Sequence, residues 1–318
     1  MNSQIGIFLI AALKLTMFLY PSGKAEEYPD IETLGLVQQE FIEEHNNDAT
    51  PNFLMKRARL GVSGEIREDV YVELIGGALE PPNNAPALVN AFADFRVHSL
   101  FKIRAGQFVV PFGHEGPQLI FQNPAIERSR AFRTTNTYNM VRDVGFNISG
   151  KSSLWGYEAA WLNGSGANLS DGLEATDFMG RLFLKPIENL KIGASGNYSE
   201  SRLPAKTETL RYGGDFSWEP GDFLLHGEYF HRTDENGSEE HSVNSAFLLA
   251  GYTLAEDFQP IVRGEFSEGE TIGQDDLDFY SVMPGFNWYY ADPSRLAINY
   301  DIREGQDNLL TLQMQYVF

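Results

Sequence analysis

Cysteine is absent from the 318 residues, which removes disulfides, thiolate metal ligands and a thiol nucleophile from consideration. Positive charge is scarce too: 24 Lys and Arg stand against 44 Asp and Glu, a formal net charge of −20. A chain so acidic has no general basic face for a phosphodiester backbone, so no nucleic-acid partner is expected. Past the N-terminus, no stretch approaches the roughly 20 consecutive apolar residues of a spanning helix. If the mature chain sits in a membrane, it spans as a closed β-barrel, the other structure that satisfies its own backbone in hydrocarbon.

Glycine and aromatic residues are plentiful, at 30 glycines and 13% Phe, Trp and Tyr. The N-terminus carries an apolar run, Ile5 to Leu13, and small residues at Gly23-Lys24-Ala25. This pattern is expected of a secretory signal over residues 1–25, leaving a barrel domain at 26–318. MNSQ carries no basic side chain and Lys14 interrupts the apolar run, which leaves an N-terminal anchor as the alternative.

The remainder divides into segments of about ten residues with period-two alternation. In the last, Leu310, Leu312, Met314, Tyr316 and Phe318 share one face, while Thr311, Gln313 and Gln315 share the other. RLAINYDIR (Arg295 to Arg303) and LKIGASGNY (Leu190 to Tyr198) alternate in the same way. About sixteen such segments are expected, near 33–43, 53–65, 69–79, 87–97, 100–109, 141–150, 155–163, 176–185, 189–199, 207–218, 221–232, 242–253, 257–267, 276–290, 294–303 and 308–318. Short connections such as REDV, KPIEN, EPGD and ADPS alternate with longer polar ones, the asymmetry of tight periplasmic turns and external loops in outer-membrane barrels. An even strand count also returns both ends of the barrel to one side. The fold expected is an all-β, transmembrane antiparallel barrel of about sixteen strands. Its longest connection, the arginine-dense 111–140 stretch, becomes the third external loop, folded into the lumen. A soluble β-sandwich would bury the same apolar faces against each other.

Several segments resemble the phosphate-selective porin O and P family: MKRARLGVSGEI (Met55 to Ile66), ALVNAFADFRV (Ala87 to Val97), IRAGQFVVPFG (Ile103 to Gly113), AIERSRAF (Ala125 to Phe132) and RDVGFNISG (Arg142 to Gly150). Fainter echoes occur at GRLFLKP and FNWYYADPSRLAINY. The resemblance implies a homotrimeric, sixteen-stranded outer-membrane channel whose basic lumen conducts small anions, phosphate among them. The terminal Phe318, with Tyr316 two residues earlier, resembles the C-terminal signature of outer-membrane proteins that the barrel-assembly machinery reads. Lipid and lipopolysaccharide would then be the surroundings of the barrel.

Alternation alone turns Arg57, Arg59, Lys102 and Arg104 inward. With Arg128, Arg130, Arg133 and Arg142 from the long connection and its exit, they are the candidate pore-lining and anion-binding residues. A guanidinium fork matches two oxygens of a phosphate at once. Loop acids Glu115 and Glu127, with Asp94 on a strand, are the candidate counter-charges and could instead pair with these arginines and hold the loop. A nonselective or mildly cation-preferring pore, and a closed structural or adhesive barrel, stay open as alternatives. The six histidines show no metal-ligand spacing, since His226 and His231 fall on opposite sides of one strand. Neither a metal, a cofactor nor an enzymatic activity is expected.

Overall fold

The computed structural model describes residues 28–45, 51–81, 85–136, 139–169, 175–202, 206–237, 239–272 and 277–318. The signal segment expected at 1–25 lies outside the described residues. Each alternating segment forms a strand: β1 (Asp30–Glu44), β2 (Asn52–Arg67), β3 (Val70–Glu80), β4 (Ala85–His98), β5 (Phe101–Val109), β6 (Arg142–Lys151), β7 (Trp155–Leu162) and β8 (Thr176–Ile187). The second half follows with β9 (Leu190–Ser201), β10 (Thr207–Trp218), β11 (Phe223–Asn236), β12 (Glu239–Tyr252), β13 (Phe258–Gly269), β14 (Phe279–Ala291), β15 (Ser294–Arg303) and β16 (Leu309–Val317). A single α-helix among the described residues, α1 (Arg130–Thr135), lies in the connection between β5 and β6.

Every strand pairs antiparallel with its neighbours in the chain, and β1 pairs with β16, so the sheet closes on itself. The closing register runs from Leu36↔Val317 to Glu44↔Leu309. It ends where Gly35 N–H donates to the Phe318 carbonyl at 2.5 Å and Phe318 N–H donates back at 3.0 Å. The Phe318 ring lies across Gly35, where a Cβ would come within 2.4 Å of a ring carbon. Only glycine allows that approach.

The barrel is inside-out relative to a water-soluble fold. Gln313 and Gln315 on β16 are 1% and 0% exposed, while Trp161, Leu182 and Phe146 on the outer face are 58–65% exposed. An apolar exterior that encircles the molecule makes sense only against hydrocarbon. Among the described residues no helix is long and apolar enough to cross a membrane; the strands do so instead.

Alternation holds along most strands and breaks at bulges. Opposite the Gln38/Gln39 step the register slips by one on β2, leaving Lys56 without a partner between Met55 and Arg57. The extra residue turns both Lys56 and Arg57 toward the lumen. Strict period-two reading assigns Lys56 outward, and the bulge is the reason it fails there.

Gly106 on β5 has φ +127°, and a Cβ on it would sit 2.1 Å from the Ala91 carbonyl oxygen, whereas one on Gly264 of β13 would meet nothing within 4 Å. Gly106→Ala should therefore destabilise the barrel by about 1–3 kcal/mol, and Gly264→Ala should leave it nearly unchanged. Urea unfolding in lipid vesicles measures both, and equal losses would contradict the strain assigned to Gly106.

Candidate functional site

Residues 110–141 connect β5 to β6 by way of the barrel interior. Their sequence gives the reason: Phe112, Ile120, Phe121, Ile126 and Phe132 are apolar, and all are buried. They find apolar partners because β11 and β12 depart from the polar-inside rule, presenting Phe230, Phe247 and Leu249 to the lumen. Phe112 stacks on Phe230 at 6.0 Å between centroids, and Phe132 meets the same ring edge-on at 5.7 Å. Burying two such rings stabilises the loop by roughly 1.5–3 kcal/mol each.

Polar struts hold the rest of the loop. The Glu228 carboxylate of β11 accepts from the backbone N–H of His114 at 3.0 Å and from that of Glu115. The Glu115 carboxylate in turn accepts from Ser129 N–H at 3.0 Å, from Ser129 Oγ at 2.7 Å and from Asn123 at 3.1 Å. Ser129 Oγ then accepts from Phe132 N–H at 3.0 Å and caps α1. Further round the wall, Arg263 donates to the Glu127 carbonyl, Arg295 to that of Pro124 and Gln315 to that of Phe121. Ile126 N–H reaches Asn299 at 2.8 Å. The loop is thus fixed to β9, β11 and β12 through β16, on one side of the lumen.

The candidate basic residues separate into two kinds. Arg128 is buried, with Nε donating to the carbonyl of Glu115 and Nη2 to those of Gly116 and Gln118. Burial pushes its guanidinium down to about 10, so it stays charged at neutral pH. Arg59 pairs in a two-pronged contact with Glu80 at 2.6 Å, and Arg142 donates to Asn90 and to the Met140 carbonyl. Arg57 binds Gln38 at 2.9 Å and, with Lys56, the Glu127 carboxylate. The depth of Glu127 in the barrel opposes its charge, yet Arg57 and Lys56 prevail and hold it at about 2. Its side chain is still 28% exposed, so water shares in that stabilisation. Arg130 lies 4.1 Å over the Phe279 ring. Arg133 is exposed and makes no ion pair among the described residues.

Lys102 and Arg104 differ from the struts. They share one carboxylate, Asp94, at 2.8 Å and 2.6 Å, and keep 30% and 22% of their side chains exposed. Arg104 also lies 3.8 Å over the Phe92 ring. Both face a cavity of about 890 Å³ bounded by β3–β8 on one side and by Pro111, Pro117 and Leu119 of the inward loop on the other. His98, Ser99 and Lys151 line its end at the short turns. The cavity that the loop leaves along the β3–β8 wall is lined by charged and apolar side chains together.

A closed sixteen-strand barrel, lipid-facing outside and partly filled by its third long connection, is the architecture of a diffusion channel. Residues 37–188 match the model of the phosphate-selective porin O and P family. The match spans just under half of the chain and, together with the fold, supports an outer-membrane porin. No curated protein matches its sequence. Solved structures of the same fold include OmpT of Vibrio cholerae in its trimer form, at 12% identity and TM-score 0.73, covering 91% of this porin and 99% of that chain. An anion-selective porin from Comamonas acidovorans superposes at TM-score 0.71 with 10% identity, covering 91% of this chain and 99% of its own. The outer-membrane channel DcaP of Acinetobacter baumannii does so at 0.66 with 12% identity, covering 94% and 100%.

Sequence reasoning passed over two features of the porin. Lys56 is hidden by its bulge. The docking wall is signalled by FLLA (Phe247 to Ala250), which reads apolar on both faces where a strand between lipid and water should not. Glu115→Ala should release the loop, because it strands the buried Ser129 N–H and hydroxyl at a cost of about 1–3 kcal/mol. Limited proteolysis of the folded porin should then cut within 110–141 while the wild type resists, and equal resistance would remove Glu115 from its bracing role.

Proposed function

We propose that this porin lets small hydrophilic solutes diffuse across the outer membrane with a preference for anions of the phosphate class. The observation that carries the reading is the Lys102–Asp94–Arg104 cluster, in which one carboxylate answers two cations on the open side of the lumen. Lys151 adds to the same wall, and Arg133 offers a guanidinium with no ion pair among the described residues on the inward loop. A surplus of positive charge in a confined, poorly screened passage raises the local concentration of anions. Arg59, Arg128 and Arg142 serve as struts in this reading, and Lys102, Arg104 and Arg133 meet the solute.

Export by a cleaved signal at 1–25, assembly guided by Phe318 and the barrel-assembly machinery, packing against lipopolysaccharide and association as a homotrimer complete the proposal. Conduction needs no cofactor or catalytic group.

Planar-bilayer reversal potentials under a KCl gradient test the selectivity. The wild type should be anion-selective, with chloride current reduced by added phosphate. Lys102→Glu should shift the potential toward cation selectivity, and Lys206→Glu, at an exposed site paired with Glu200 and Glu208, should not. A cation-selective wild type would overturn the anion preference.

A further inference from the structure

Where the third connection meets the barrel wall near β11, two imidazoles and a carboxylate gather. His114 leaves the inward loop beside His226 of β11, their rings edge to face with centroids 4.8 Å apart. Glu219, in the turn between β10 and β11, closes the group: its Oε1 lies 2.8 Å from His226 Nε2. One ligand atom from each of His114, Glu219 and His226 lies within 4.8 Å of the other two.

Two imidazoles and a carboxylate form the donor set of zinc-class metals, with three protein ligands and a further position for water or another donor. Hard cations such as calcium and magnesium prefer all-oxygen sites, so the donor set discriminates against them. The supports of a metal site are also in place. Ser217 Oγ donates to Glu219 at 2.7 Å, and the Gln118 side chain contacts His114 Nε2 at 2.9 Å. The backbone beside His114 is pinned, with Gly113 N–H on Ser195 at 3.1 Å and His114 N–H on Glu228 at 3.0 Å. Outer contacts of this kind fix ligand orientation. With metal–nitrogen bonds of about 2.0–2.1 Å, donors converge by modest side-chain rotation. Entry is open as well, since the Glu219 side chain is 54% exposed at the short-turn end of the barrel.

We infer that His114, Glu219 and His226 form a binding site for a divalent transition metal of the zinc class, tying the inward loop to the turn between β10 and β11. Such a bond would add a metal strut to the hydrogen-bonded ones and restrict movement of the loop that narrows the passage. The site is separate from the Lys102–Asp94–Arg104 cluster, so it stands or falls apart from ion selectivity.

Zinc chloride titrated calorimetrically into the full, detergent-purified porin after chelator treatment tests the site. One saturable equivalent per chain is expected, undiminished by excess calcium. Replacing a ligand should weaken it about tenfold or more, both in His226→Gln and in Glu219→Gln. His241→Gln, which alters the outlying His241–Glu270 pair, should leave binding unchanged. Heat-modifiable electrophoretic migration checks that each variant is folded, and the exposed Glu219 carries the test if His226→Gln does not fold. No saturable binding to folded wild type, unchanged affinity in the Glu219 variant, or loss that follows His241→Gln would each overturn the assignment.

Discussion

Hydrocarbon offers no hydrogen bonds, and that constraint governs the whole molecule. Every strand edge must be paired within the protein, so the sheet closes through β1 and β16. Closure with lipid outside sends apolar side chains outward and leaves the lumen as the place for charge. A crowded lumen then penalises any unpaired charge, and the wall answers with close contacts such as Arg181–Asp215 at 2.5 Å and Arg59–Glu80 at 2.6 Å. Removing one partner of such a pair would leave the other buried and uncompensated.

The inward loop works within the same constraint. Its apolar residues cannot face water in the lumen, so they dock where β11 and β12 present Phe230, Phe247 and Leu249. Its polar backbone, lacking a sheet, is met by Glu228, Ser245, Arg263, Asn287, Arg295 and Gln315. The β3–β8 side is left open as a result. Among the basic residues, Arg263 and Arg295 donate to loop carbonyls, whereas Lys102 and Arg104 line the cavity beside β3–β8.

The strands were readable in the sequence because lipid and water impose period-two alternation. The inward position of the third connection followed from its length and lack of periodicity. Residue roles were less legible. Arg128 and Arg133 look alike in IERSRAFR (Ile126 to Arg133), yet Arg128 binds three carbonyls and Arg133 is exposed, a difference made by how the loop folds back on itself. Glu115 acts as the counter-charge to Arg128 and also accepts from Ser129, the residue that caps α1. Lys56 was masked by a bulge, which shifts facing without leaving a residue signature. The His114–Glu219–His226 group joins residues up to 112 positions apart, so spacing along the chain could not have displayed it.

The natural absence of cysteine lets a single introduced thiol report both where the passage runs and which charge it favours. Ser149 lines the open cavity, whereas Asn287 is fully buried against the Pro124 carbonyl. The decisive measurement is the rate at which Ser149→Cys reacts, in the folded porin, with anionic and cationic thiosulfonates of similar size, with Asn287→Cys beside it. A passage along β3–β8 with a positive surplus predicts faster anionic reaction at position 149, an accompanying fall in conductance, and little reaction at 287. Comparable reaction at 287, or a faster cationic reagent at 149, would contradict it.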